Sequence, residues 1–116
     1  MQPVYHAGGR SRMAELAQLR MYQVEDGKLA EFVEEWRNEV APLRRAQGFR
    51  VDGAWTVEQD SRFIWIISYE GPESFESKDR AYYESPARKS LEPDPARLIV
   101  KSEHVVMTPV EVPPAG

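Results

Sequence analysis

No cysteine occurs anywhere in the 116 residues. That excludes disulfides, thiolate nucleophiles, and cysteine-ligated zinc or iron–sulfur clusters. Histidine is scarce: only His6 and His104 are present. With no His-x-His and no His–Glu pair on a helix, the chain offers no recognisable metal ligand set, and no cofactor is expected. No apolar run approaches the roughly 20 residues needed to span a bilayer. The first dozen residues carry Gly8-Gly9 and two arginines but no apolar core, so they do not read as a secretory signal. Residues 1–15 are read as a flexible leader with Met13 as an alternative start, and the cytoplasm is the expected location. Basic residues are outnumbered, 15 Lys and Arg against 19 Asp and Glu, for a net charge of −4. Such a surface repels phosphate backbones and disfavours non-specific nucleic-acid binding.

What is present is an ordinary globular balance, with 41% hydrophobic and 29% charged residues. The length allows one domain around one core, here placed at residues 16–110 with a tail at 111–116. Ala17 to Val24 alternates, with Leu19 and Met21 on one face and Arg20, Tyr22 and Val24 on the other, which is a half-buried strand. Asp26-Gly27 makes a turn, and Asp26 is a candidate N-cap. From Lys28 to Gln47 the period changes: Leu29, Phe32, Val33, Trp36, Val40 and Leu43 share one helix face. Acidic residues crowd the first half, Arg44 and Arg45 the last turn, as the helix dipole favours. Gly48 stands where a left-handed cap belongs. Pro42 removes a backbone donor and clashes with the carbonyl of Asn38, so the helix should kink or break there.

Phe49 to Glu58 reads as a second strand with Phe49, Val51, Gly53, Trp55 and Val57 on one face. After the polar turn Gln59-Asp60-Ser61, Arg62 to Tyr69 is a third strand. Its run Phe63-Ile64-Trp65-Ile66-Ile67 is apolar without alternation, as in a central strand covered on both faces. Ser74 is a candidate cap for a second helix reaching Tyr83, broken by Ser85-Pro86. A proline-containing loop follows. Arg97 to Thr108 is the fourth strand, with Leu98, Val100, Ser102, His104 and Val106 on one face.

The order β-α-β-β-α-β is the ferredoxin-like arrangement, an α+β fold. Right-handed crossovers put both helices on one face of a four-stranded antiparallel sheet in the order 4-1-3-2. The strands carry large apolar residues on both faces, so the uncovered face needs a partner. A symmetric homodimer, sheet against sheet, is the expected answer.

The run Arg20-Met21-Tyr22, Gly27-Lys28-Leu29, Phe32, Trp36, Val40-Ala41-Pro42-Leu43, Gly48-Phe49 and Gly53-Ala54-Trp55 resembles the NIPSNAP family. The resemblance covers about Leu19 to Val110 and is strongest through Trp55. It implies a dimeric α/β barrel, a fold shared with cofactor-independent monooxygenases of aromatic polyketides, polyketide cyclases and haem-degrading monooxygenases. It implies no catalytic set, because the family has no agreed reaction. Haem degradation in that superfamily uses an Asn on the first strand, whereas the only Asn here is Asn38 in the first helix. An RNA-recognition module shares the element order, but Arg62 to Ile67 lacks its basic-Gly-aromatic signature.

Three residues are candidates for chemistry. His104, with an ordinary pKa of about 6.5, suits proton transfer; the plainer reading is an imidazole at a barrel edge. Tyr22 and Arg20 share a face of the first strand, which should neighbour the fourth. A phenol, a guanidinium and an imidazole could together polarise a carbonyl or stabilise an enolate; the plainer reading pairs Arg20 with an acid and lets Tyr22 close the core. Trp55, Trp65, Tyr69 and Tyr83 are candidate walls for a planar ligand, or else core. Two functions follow: a cofactor-free monooxygenase, cyclase or isomerase acting on an aromatic or polyketide-like molecule, or a non-catalytic homodimeric binding or interaction module.

Overall fold

A computed structural model describes residues 16–115. The expected leader, with His6 and Met13, lies outside them. Four strands, β1 (Leu16–Val24), β2 (Arg50–Val57), β3 (Arg62–Tyr69) and β4 (Ile99–Met107), form one antiparallel sheet in the order β2-β3-β1-β4. The first crossover is one long helical passage: α1 (Leu29–Glu35), a π-helical stretch Trp36–Val40, and α2 (Ala41–Ala46). The second holds α3 (Phe75–Glu84), α4 (Pro86–Lys89) and a 3₁₀ turn at Pro95–Leu98. This is the ferredoxin-like α+β architecture. After Met107 the described residues form no helix or strand.

The interruption at Pro42 takes a specific form. The N–H of Ala41 bonds to the carbonyl of Trp36, an i to i+5 contact, so the wide turn ends just before the proline. Pro42 then occupies the first turn of α2 directly after the wide turn, so the helical bond that its missing N–H forfeits falls at this irregularity. Gly48, at φ 97°, ends the passage in the left-handed region. Lys28 rather than Asp26 takes the N-cap position, without a side-chain cap, because Gly27 at φ 81° completes the turn one residue beyond Asp26. Ser74 caps α3 by accepting from the N–H of Ser77.

Alternation in β1 runs as the sequence dictates. Arg20, Tyr22 and Val24 are buried beneath the helices, against Phe63, Trp65 and Ile67 of β3. An edge-on aromatic cluster fills this layer. Phe32 meets Tyr22 and Phe63 at 5.8 and 5.2 Å, and Trp36 meets Phe63 and Trp65 at 5.0 and 5.5 Å. Arg97 ties the 3₁₀ turn to α1, with its guanidinium 2.8 to 2.9 Å from Glu31 and Glu35.

Two bulges change the faces read from alternation. In β2 the register shifts between Val51 and Gly53, which skips Asp52. Phe49, Val51 and Ala54 therefore pack on the core, while Trp55 turns to the open face and is 54% exposed. In β4 a shift opposite Gln23 and Val24 skips Val100. Ile99 turns inward and Val100 is exposed. Arg97 and Leu98, expected at the start of this strand, belong to the 3₁₀ turn, where Pro95 restrains the backbone.

Candidate functional site

The inner face of β1 brings one charged side chain into the core. Arg20 is fully buried, and Arg44, reaching in from α2, is 1% exposed. Both converge on α3. Asp79 Oδ1 accepts from Arg20 Nη2 at 3.0 Å and stands 2.9 Å from Arg44 Nη1, the latter without the alignment of a good hydrogen bond. The Tyr83 hydroxyl accepts from Arg20 Nη1 at 3.1 Å and from Arg44 Nη2 at 3.3 Å. The Arg44 guanidinium also lies over the Tyr82 ring, 3.7 Å from its centroid, and 4.7 Å from that of Phe49. Two buried cations thus share one carboxylate. Burial works against the Arg20 charge, but Tyr22, Tyr83 and Asp79 outweigh it and raise its pKa.

Beside this cluster lies a cavity of about 60 Å³. Its walls are Tyr22, Phe32, Trp36, Val40, Arg44, Trp65, Tyr82, Tyr83, Arg88, Pro95, Ala96 and Ile99. Next to it runs an open groove of about 520 Å³ along Arg88, Leu91 and Asp94, which shares Tyr83, Arg88 and Ala96 with the cavity. Among the described residues, five buried side-chain polar atoms make no well-formed hydrogen bond: Trp36 Nε1, Arg44 Nε, Arg44 Nη1, Trp65 Nε1 and Tyr82 Oη. All belong to residues lining this cavity, and all are donors. Arg44 Nη1 has Asp79 as a charge partner, and Trp65 Nε1 stands toward Tyr22, whose pKa that contact opposes raising. Trp36 Nε1, Arg44 Nε and Tyr82 Oη have nothing. Burial raises the pKa of both Tyr22 and Tyr82, so each phenol keeps its proton near neutral pH.

The structure places the sequence candidates unevenly. Arg20 pairs with His104 across the β1–β4 register, and Tyr22 with Ser102, so these side chains share the inner face. Tyr22, Trp65 and Tyr83 line the cavity; Arg20 sits behind it, bonded to Tyr83. His104 is exposed and outside the lining. Its pKa is lowered, first by partial burial and then by the Arg20 charge, which keeps the imidazole neutral at pH 7. Tyr69 bonds Glu73 at 2.6 Å, and Trp55 lies on the opposite face; neither reaches the cavity. Asp79 and Arg44 were not singled out by sequence. Their signal is positional: Phe75, Asp79, Tyr82 and Tyr83 follow the spacing i, i+4, i+7, i+8, and Arg44 continues the stripe of Trp36 and Val40. A charge on an otherwise apolar stripe needs a buried partner.

The fold and the polar cluster beneath its helices define a ferredoxin-like domain with a small cavity walled by aromatic and arginine side chains. The NIPSNAP family model matches residues 17–114, and the chain belongs to the NIPSNAP family. An uncharacterised NIPSNAP domain protein from Burkholderia xenovorans is 20% identical and superposes with a TM-score of 0.72, over 86% of this chain and 99% of that one. A NIPSNAP family protein of unknown function from Agrobacterium tumefaciens gives 14% identity and 0.75, over 96% and 98%. A candidate antibiotic biosynthesis monooxygenase from Nitrosomonas europaea gives 16% and 0.62, over 92% and 96%. Similarity at this level is one of fold. No curated protein matches the sequence. No helix among the described residues is long and apolar enough to cross a membrane.

Proposed function

We propose that this chain is a homodimeric, cofactor-independent protein that seats the oxygen-bearing edge of an aromatic or polyketide-like molecule in the cavity under its helices and the remainder in the adjoining groove. The reaction class its donors suit is one passing through an enolate: oxygenation, cyclisation or isomerisation. What supports this reading is that three buried donors without a hydrogen-bond partner, Trp36 Nε1, Arg44 Nε and Tyr82 Oη, belong to residues that line one cavity with aromatic walls. Preorganised donors in a water-poor site stabilise negative charge developing on a carbonyl oxygen. In this assignment Arg44, Trp36 and Tyr82 face the oxygen. Arg20 is a positioning residue acting through Tyr83. Neutral His104, at the open end of the same face, relays a proton to solvent. The name of the Nitrosomonas relative fits this class.

A second reading, a non-catalytic ligand-binding module, draws on one observation: His104 lies outside the cavity lining. A thermal-shift panel of enolisable aromatic ketones, followed by turnover of any hit, separates the two. The enzyme reading expects stabilised protein and turnover that falls at least tenfold in His104→Ala, within the usual range for a general acid–base group. Turnover unchanged in that variant removes the role of His104, and binding without turnover favours the module.

The dimer rests on the open sheet face. Leu19, Met21, Ile64 and Ile66 are only partly covered there, and Trp55 and Val105 are exposed. Helices occupy the other face, so a second copy is the economical cover. Placing a charge at the centre of this patch, Ile66→Asp, is expected to give a monomer by light scattering at micromolar concentration. A wild-type protein that is itself monomeric there contradicts the assignment.

A further inference from the structure

The charges around the cavity do not balance. Arg20 and Arg44 are buried cations, and Asp79 is the one carboxylate between them. Arg88 at the mouth is already paired with Asp94 at 3.0 Å. The interior therefore carries a net charge of one positive unit in a region where uncompensated charge is costly. Three buried donors have no hydrogen-bond partner, Trp36 Nε1, Arg44 Nε and Tyr82 Oη, and the Tyr83 oxygen accepts from both guanidiniums, which frees its own proton to donate. Both the charge and the hydrogen-bond deficit are met by the same thing: an oxygen bearing one negative charge and several lone pairs. No cavity-lining side chain is a base at neutral pH, since the polar ones are tyrosines, tryptophans and arginines.

We infer that the cavity holds its ligand as a monoanion, the oxyanion of an acidic enol or phenol, and that it lowers the ligand's own pKa on binding. A ligand entering as the neutral acid breaks its O–H bond, keeps the electron pair on oxygen, and gives the proton to solvent. A ligand already ionised gives up nothing. The cavity, at about 60 Å³, takes the oxygen-bearing edge, and the groove beside Tyr83 and Leu91 takes the remainder. This rests on the reading of the cavity as a small-molecule site and adds the ionisation state of what it holds.

The test uses 4-nitrophenol, whose phenolate absorbs where the phenol does not, titrated with the full chain at a pH below the pKa of the free compound. Phenolate absorbance is expected to grow with protein until bound ligand is mostly ionised. Its methyl ether, 4-nitroanisole, which cannot ionise, is expected to bind at least about tenfold more weakly, the usual worth of a hydrogen bond to a charged group. Trp36→Phe keeps the packing and removes one donor, and should reduce the ionised fraction. Trp55→Phe, on the opposite face of the sheet and away from the cavity, should leave it unchanged. Nitrophenol and nitroanisole binding equally, without phenolate absorbance, overturns the monoanion inference and leaves the binding site standing. Neither compound binding overturns both.

Discussion

Replacing Asp79 by alanine is expected to lower the stability of the fold by about 3 kcal/mol, the low end for removing one partner of a buried ion pair. For a domain of this size that is a fall of roughly 15 °C in Tm. The reason lies in the asymmetry of the pair. Asp79 is 23% exposed, but the two arginines it serves are 0% and 1% exposed. Loss of the carboxylate leaves two guanidiniums facing each other in the core with only neutral acceptors, Tyr83 Oη for both and Gln18 Oε1 for Arg20. Asp79→Asn keeps an acceptor and the side-chain volume, so its loss should be smaller. The variant's interior charge rises to two positive units, so added nitrophenolate should recover more stability in Asp79→Ala than in the wild type. A Tm drop of only a few degrees would place the pair with exposed salt bridges, worth about 0–1 kcal/mol, and would weaken the charge argument for the cavity.

The second large effect concerns Trp65. It is 1% exposed, stacks edge-on against Trp36, and has both guanidinium carbons within 5.9 Å of its ring. Truncation in Trp65→Ala removes a large buried side chain and leaves a void beside two cations, at an expected cost of about 3–5 kcal/mol in urea unfolding. Trp55→Ala is the control. Its side chain lies on the open face, so in the isolated chain its replacement should change stability by about 0.5 kcal/mol or less, the range for surface positions. Under the proposed dimer it should weaken self-association instead. Equal costs for the two substitutions would contradict the assignment of faces.

That contrast also shows where the sequence is legible. Arg20, Tyr22 and Val24 are readable as one buried face because β1 alternates without interruption; strand order makes β4 its neighbour, but the register that sets Arg20 opposite His104 is not readable, since it includes a shift at Val24. The break at Pro42 is readable because its cause is covalent; its resolution as a π turn is not, because neighbouring packing selects among the ways to lose one helical bond. Trp55 is not readable, since the bulge at Asp52 leaves no mark on the hydrophobic pattern and reverses every side chain beyond it. Asp52 itself is satisfied across the sheet, accepting from Ser68 Oγ at 2.8 Å, which gives the bulge a local reason visible only in three dimensions.

The site follows the same division. Tyr22 is accessible to pattern reading as an aromatic on an inward position, whereas Trp65 lies in a run without alternation and Tyr83, 42% exposed, sits at the edge of its helix stripe. Arg44 resembles an ordinary last-turn cation, and the helix dipole gives it a sufficient surface explanation. Its burial depends on Asp79, 35 positions along the chain and in a different element. A long-range ion pair between two helices has no local signature beyond a charge on each apolar stripe.

The central claim, that the donors of the cavity meet an oxygen-bearing ligand, is tested most directly through the three indoles. In a proton–nitrogen NMR titration of the labelled protein with 4-nitrophenolate, the Nε1–H resonances of Trp36 and Trp65 should move together and saturate, while that of Trp55 stays in place. Movement of Trp55 alone, or of none of the three, would contradict it.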